Sequence, residues 1–200
     1  MKNISLIAVL IQLFCMAANG QHVVRNLGFE DLDAKGNMLC WDPRNQTGNY
    51  VLNLDTSVAH TGQCSFFIRP SNDTVSNRGM GGCTSIIKGY NLETNRVVRI
   101  SAYIKTENLQ NGVAALVVQL GSDKGSMGDY NSNDQSQAGT TGWTKHTVNV
   151  RLLPGVQFVG FGFVMTGTGK AWFDDFEIFF DDAPAGESIY LPKNGKPVNK

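Results

Sequence analysis

The chain has 200 residues, and its 17 lysines plus arginines balance 17 aspartates plus glutamates, for a formal charge of zero. That composition lacks the basic surface on which phosphate-backbone recognition depends, which argues against nucleic acid as a partner. With a leader of about 20 residues removed, the remainder is long enough for one domain with a sizeable core.

Residues 1–20 read as an export signal: Lys2 is a short basic start, an apolar run extends from Ile4 to Met16, and small residues stand at Ala18 and Gly20 before Gln21. The expected location is secreted or periplasmic. Cys15 raises lipid attachment, but the bulky Phe14 before it departs from a lipoprotein signal, which favours a small residue there. No later apolar run approaches the roughly 20 residues needed to span a bilayer, so no membrane span is expected. Cys40, Cys64 and Cys83 remain after cleavage. In an oxidising compartment one pair is expected to close and leave one thiol, without the sequence choosing the pair. Their scatter excludes a four-cysteine zinc site and a Cys-x-x-Cys redox motif.

Along the chain, period-two segments rich in β-branched and aromatic residues alternate with Gly, Asn, Asp and Ser clusters, and no long stretch carries an apolar stripe at helical spacing. The expected strands are Val23 to Glu30, Tyr50 to Asp55, Cys64 to Pro70, Gly82 to Ile87, Val97 to Glu107, Val113 to Leu120, Thr144 to Leu152, Gln157 to Thr166 and Ala171 to Phe180. This is an all-β chain. Val98, Ile100, Ala102 and Ile104 face one way, into a core, while Arg99, Ser101, Tyr103 and Lys105 face the other. Val159, Phe161, Phe163 and Met165 point inward likewise, leaving Gly160 and Gly162 on the outer face. Those glycines fit either close backbone packing or room for a ligand. From Gly121 to Thr141 runs the longest polar connection, of a length that is often functional or disordered. The domain expectation is a signal over 1–20, a β-sandwich binding module over 21–182, and a linker-like tail over 183–200 rich in Pro and Gly. Asn45-Gln-Thr47 and Asn72-Asp-Thr74 fit the N-glycosylation pattern.

Catalytic signatures are wanting. His22, His60 and His146 are far apart in sequence, with no Gly-x-Ser-x-Gly elbow or His-Glu-x-x-His helix, and they read as loop or surface residues. Sugar recognition without catalysis needs aromatic faces and amides or charges in a shallow concavity. Trp41, Tyr103, Tyr130, Arg99, Asn53 and Gln119 supply those types. Tyr103, Arg99 and Gln119 are expected on one non-core side, with the Tyr130 loop folded over it; the competing expectation is a solvated sheet face covered by its own loop. Trp143 and Trp172 stand at strand entrances, where they would seal the sandwich end.

The last strand-like run carries Asp174 and Asp175 amid aromatics. Such carboxylates are costly to bury without a cation or hydrogen-bond donors, and Glu30 with a bound calcium is the expected partner. As strand neighbours, the two aspartates should point to opposite faces.

Asn26-Leu-Gly-Phe-Glu30, Asp55-Thr-Ser-Val-Ala-His60-Thr-Gly62, Ser101-Ala-Tyr-Ile-Lys-Thr-Glu107, Gly139-Thr-Thr-Gly-Trp-Thr-Lys145 and Trp172-Phe-Asp-Asp-Phe-Glu177, in this order, resemble the galactose-binding-like jelly rolls used as carbohydrate-binding modules. More narrowly, the chain is similar to the β-sandwich placed ahead of the catalytic domain in secreted bacterial erythromycin-esterase-like and tail-specific-protease-like hydrolases. The resemblance implies a two-sheet antiparallel jelly-roll β-sandwich that is not an enzyme and binds a glycan or polysaccharide. An alternative is a spacer or protein-interaction domain of a hydrolase whose catalytic part is absent from this chain. It also implies a structural calcium held by Glu30 and one of Asp174 or Asp175, with Asp55 and backbone carbonyls near His60 as further ligands, an oxygen set suited to calcium. Against this stands the reading in which these carboxylates accept backbone N–H bonds with no ion.

Overall fold

The computed structural model describes residues 26–45, 48–72, 79–88, 92 and 96–184. The expected export signal, the residues up to 25, the tail beyond 184 and the distal residues of both Asn-x-Thr patterns lie outside the described residues. The described chain forms strands β1 Asp42–Asn45, β2 Tyr50–Asp55, β3 Ser65–Pro70, β4 Gly81–Lys88, β5 Val97–Gln110, β6 Ala114–Ser122, β7 Gly125–Asn131, β8 Gly139–Arg151, β9 Phe158–Met165, β10 Thr168–Phe180 and β11 Ala183–Pro184, with a short 3-10 turn at Asn133–Gln135. One sheet runs β1-β4-β9-β6-β7 and the other β2-β3-β10-β5-β8, with β11 added to the end of β10. Every ladder is antiparallel, and the architecture is the expected jelly-roll sandwich. No helix among the described residues is long and apolar enough to cross a membrane.

Strict alternation builds the core. Val98, Ile100, Ala102 and Ile104 from β5 and Val159, Phe161, Phe163 and Met165 from β9 are all but sealed from solvent, as the pattern requires. Between the sheets Phe163 stacks on Phe173 at 4.3 Å, and Phe29 and Trp41 pack edge-on or tilted against Phe163 and Phe176. Each such ring removes its apolar surface from water, worth roughly 1.5–3 kcal/mol apiece.

Four elements differ from expectation. The described part of Val23 to Glu30 is a turn: the Asn26 side chain accepts the Asp31 amide and donates to the carbonyls of Asp31 and Leu39. Asn26 and Phe29 sit at φ of 57° and 63°, so the Asn amide outcompetes a ladder and Phe29 plugs the core from a loop. Strand β1 was not expected, because its four residues are exposed and include Pro43; pairing with β4 makes it an edge strand. The polar connection from Gly121 to Thr141 is instead a hairpin, β7 folding back on β6, followed by the 3-10 turn. Besides its ladder bonds, this mostly polar strand reaches the core through Met127 and Tyr130. At the other end, the expected tail begins with β11, paired to Phe179 and Phe180.

Candidate functional site

The two acidic ends of the domain meet. A β-bulge interrupts the β10–β5 register between Asp174 and Glu177, and Asp175 takes φ of 48° there. A Cβ placed on Gly28 would lie 3.6 Å from Asp175 Oδ1, 3.9 Å from Asp174 Oδ1 and 3.9 Å from Glu30 Cγ, so all three acidic side chains gather around this one position. The loop between β2 and β3 is laced to them. Asp174 Oδ2 accepts the amides of His60 at 2.8 Å and Thr61 at 3.4 Å, and its Oδ1 accepts the amide of Asp175 at 2.8 Å. Glu30 Oε1 accepts the amides of Gln63 at 2.8 Å and Cys64 at 3.2 Å. Asp175 holds the His60 ring through Nδ1 at 2.6 Å and the Thr61 hydroxyl at 2.7 Å. Asp174 has no exposed surface, and burial pushes its pKa up to about 6 despite these donors.

Asp55 is committed elsewhere. It accepts Trp172 Nε1 at 2.8 Å and both the amide and the hydroxyl of Ser57; burial pushes its pKa up, yet these bonds prevail and hold it below the ordinary value. Trp172 therefore lies buried on the outer face of its sheet against Phe67, rather than sealing the end of the sandwich. Carboxylate oxygens such as those of Glu30, Asp174 and Asp175 are the ligand type an oxygen-seeking cation takes. Among the described residues, however, no group of three or more His, Cys, Asp and Glu is arranged to hold a metal ion. Loop residues 60–64 contribute N–H donors to this cluster, and the His60 ring bonds a carboxylate.

A groove of about 620 Å³ crosses the outer face of the β1-β4-β9-β6-β7 sheet. Register places Ile86, Gly160, Gln119 and Asp129 in one transverse row, and Asp42, Thr84, Gly162, Val117 and Asn131 in the next. The two glycines behave differently. A Cβ on Gly162 would strike the Cys83 carbonyl oxygen at 2.1 Å, which is close backbone packing; one on Gly160 meets nothing nearer than Gln119 Cβ at 3.7 Å, which is room. Phe158 closes one end, its ring lying so near Gly121 that a Cβ there would be 2.1 Å from it. The polar rim consists of Gln119 Nε2 donating to Asp129 at 2.8 Å and of the Arg44–Asp42 ion pair at 2.6 Å.

The six residues expected to bind ligand are dispersed. Gln119, Tyr130 and Trp41 contribute to the groove wall. Tyr130 also packs against the core, and the Trp41 indole is buried among Phe29, Phe161 and Phe176 with Nε1 donating to the Asn26 carbonyl at 2.8 Å, so it is no exposed platform. Arg99 and Tyr103 lie on the opposite sheet, because the Asn111–Gly112 turn sends β6 across the sandwich instead of beside β5. Alternation fixes the face of a strand but not the sheet it joins. Arg99 bonds Asp182 and covers the Phe179 ring, and Tyr103 is stacked beneath His60 at 3.7 Å. Asn53 stands apart, exposed on β2 beside a smaller cavity of about 320 Å³.

No disulfide links Cys40, Cys64 and Cys83 to one another, contrary to the expected pair; burial pushes Cys64 up to about 11 and Cys83 up to about 12. His146 is not a surface residue. It is buried against the Ser132 hydroxyl at 3.2 Å, and burial lowers its pKa, making a sealed neutral pair rather than a reactive one.

No protein-family model and no curated protein matches the sequence. Solved structures do. The tailspike protein 4 enzymatically active domain of bacteriophage CBA120 superposes with a TM-score of 0.59 at 10% identity, over 81% of this chain and 21% of that one. The chain thus spans about a fifth of that protein's length. The CBM22-1 xylan-binding domain of Paenibacillus barcinonensis Xyn10C gives 0.53 at 18% identity, over 84% and 99% of the two chains. A cyclase from Fischerella sp. TAU gives 0.57 at 14% identity, over 84% and 99%. At these identities the likeness is one of fold.

Proposed function

We propose that the protein is a secreted, non-catalytic glycan-binding module whose saccharide lies in the groove across β4, β9 and β6. The observation that carries this is the open floor at Gly160 between Ile86 and Gln119, with the Phe158 ring at one end. Sugar C–H faces pack on Ile86, Val117 and Phe158, while hydroxyls exchange hydrogen bonds with the Gln119–Asp129 pair and the Asp42–Arg44 pair. The fold shared with a xylan-binding domain supports the reading, as does the export signal in residues 1–20. Calcium is proposed as a structural ion of the Glu30, Asp174 and Asp175 cluster, with no part in binding sugar.

The test is affinity electrophoresis against a panel of soluble polysaccharides. At least one is expected to retard the protein, and Gly160→Leu, which fills the floor, is expected to abolish retardation while leaving the melting temperature unchanged within a few degrees. Absence of binding across a broad glycan array overturns the reading.

A second reading is a spacer or interaction domain beside a hydrolase. It is favoured by the likeness to a segment covering only 21% of a larger enzymatically active tailspike domain. Co-purification with a partner enzyme and no glycan response would select it.

A further inference from the structure

A second concavity, also about 620 Å³, opens on the other sheet, where β3, β10 and β5 run out together. Two backbone departures create it. Gly169 sits at φ of 93° in a bulge between Thr168 and Lys170, and Asn108 opposite takes φ of 52°; a Cβ on Gly169 would meet the Asn108 carbonyl oxygen at 2.3 Å, so the bulge is closed tightly on itself. Into the resulting cup project Arg69, Lys170 and Glu107, with the amides of Asn108 and Gln110 beside them.

The charges are unequal. Lys170 Nζ is paired with Glu107 Oε1 at 2.7 Å, and Arg69 gives one N–H to the carbonyl of Pro70 at 3.1 Å. A guanidinium has five N–H donors in a planar fork, so most of those on Arg69 remain for a ligand. One acid against two cations leaves a positive cup that a carboxylate neutralises, through the Arg69 fork and the Lys170 ammonium. The two side-chain amides and the second Glu107 oxygen match hydroxyl groups rather than more carboxylate. A charged fork beside amide donors and acceptors is the lining a sugar acid requires.

We propose that this cup is a second binding site, for a carboxylate-bearing sugar unit of the hexuronate type, independent of the groove on the opposite sheet. It extends the glycan-binding reading but does not share its residues, so the two fail separately.

Isothermal titration of the full chain with tetragalacturonate, and with the neutral galactose tetramer as control, tests it. Binding of the acidic oligomer alone is expected, weakening as sodium chloride is raised. Arg69→Ala should weaken it at least about tenfold and Arg69→Lys by less, since charge is kept and the fork lost. Gly160→Leu should leave it unchanged. Amide chemical-shift mapping on the unaltered protein gives a readout that needs no variant, with shifts expected at Asn108, Gly169 and Lys170. The proposal is overturned by no binding of tetragalacturonate, by retention of its affinity in Arg69→Ala, by shifts confined to the groove, or by equal competition from acetate or sulfate, which would mark a plain anion site.

Discussion

Asp174, with no surface exposed to solvent, accepts the backbone amide of His60 at 2.8 Å across 114 residues of sequence. This one bond and its neighbours fasten the loop between β2 and β3 to the bulge of β10. Replacing Asp174 by Ala would leave the part-buried amides of His60, Thr61 and Asp175 without this acceptor. The expected cost is about 3 kcal/mol, and in a domain of this size a fall in Tm of about 6–12 °C. The exposed Asp42–Arg44 pair is the contrast, and Asp42→Ala should change stability by less than about 1 kcal/mol. Equal melting of the two variants would show that the cluster holds nothing together.

The same carboxylate gives a pH signature of definite sign. Its pKa stands near about 6 in the folded chain, against 3.8 for an ordinary aspartate, so over that interval the folded state keeps a proton the unfolded state has lost. The stabilisation from this group is therefore fully present below pH 3.8 and is lost as pH rises through about 6, a change of about 3 kcal/mol. Asp33, Asp55 and Asp181 run the other way, with depressed pKa values whose contribution is present above 3.8 and lost as pH falls through them. Subtracting the pH–stability curve of Asp174→Asn from that of the unaltered protein removes those shared terms. The difference should decline between about pH 4 and 6. Calcium added above that range, where Asp174 is ionised, should raise Tm more than below it, and should do so less in the variant. A flat difference curve contradicts the burial argument; a Tm indifferent to calcium at either pH contradicts the proposed ion.

What the sequence disclosed and what it hid have separable physical origins. The core faces of β5 and β9 were legible because burial imposes period-two alternation on Val98 to Ile104 and Val159 to Met165. Meeting of Glu30 with Asp174 and Asp175 was legible because buried charge demands partners, although the donors present are backbone amides of residues 60–64, which carry no side-chain signature. Edge strands β1 and β7 were illegible, since the exposed residues of β1 satisfy only a ladder and β7 brings only Met127 and Tyr130 to the core amid polar and glycine residues. The ligand face was divided wrongly between Tyr103 and Gln119 because only the Asn111–Gly112 turn decides that their strands enter different sheets. Arg69 and Lys170 gave no linear signal at all; a bulge and two left-handed residues bring them to one cup.

Gly160 and Gly162, two residues apart on one strand face, should respond oppositely to a methyl group. Gly160→Ala adds a Cβ at ordinary contact distance and is expected to leave Tm within about 2 °C while shallowing the groove. Gly162→Ala drives the same atom into the Cys83 carbonyl, a backbone group that cannot swing aside, and should cost about 2 kcal/mol or more. Thermal unfolding of both variants, beside glycan retardation of the first, separates packing from binding. Equal tolerance at both positions would mean that β4 and β9 are not as close as 2.1 Å implies.

Trp41 and Tyr103, the aromatic residues the sequence offered most readily to a sugar, should prove structural. The Trp41 ring contacts Phe29 and Phe176 at 5.0 Å each and is tied to the Asn26 carbonyl, so Trp41→Ala removes a buried anchor and is expected to cost about 3–5 kcal/mol. Trp41→Phe keeps the packing but loses the hydrogen bond, and should cost about 1–2 kcal/mol. Tyr103 lies under His60, with Lys145 also approaching the ring at 5.7 Å, so Tyr103→Ala loosens the β2–β3 loop without touching the groove. Retardation by a glycan, normalised to the folded fraction measured by near-UV circular dichroism, should therefore be the same for unaltered protein and Tyr103→Ala. Loss of retardation in fully folded Tyr103→Ala would move the sugar to the opposite sheet and leave the groove without a role.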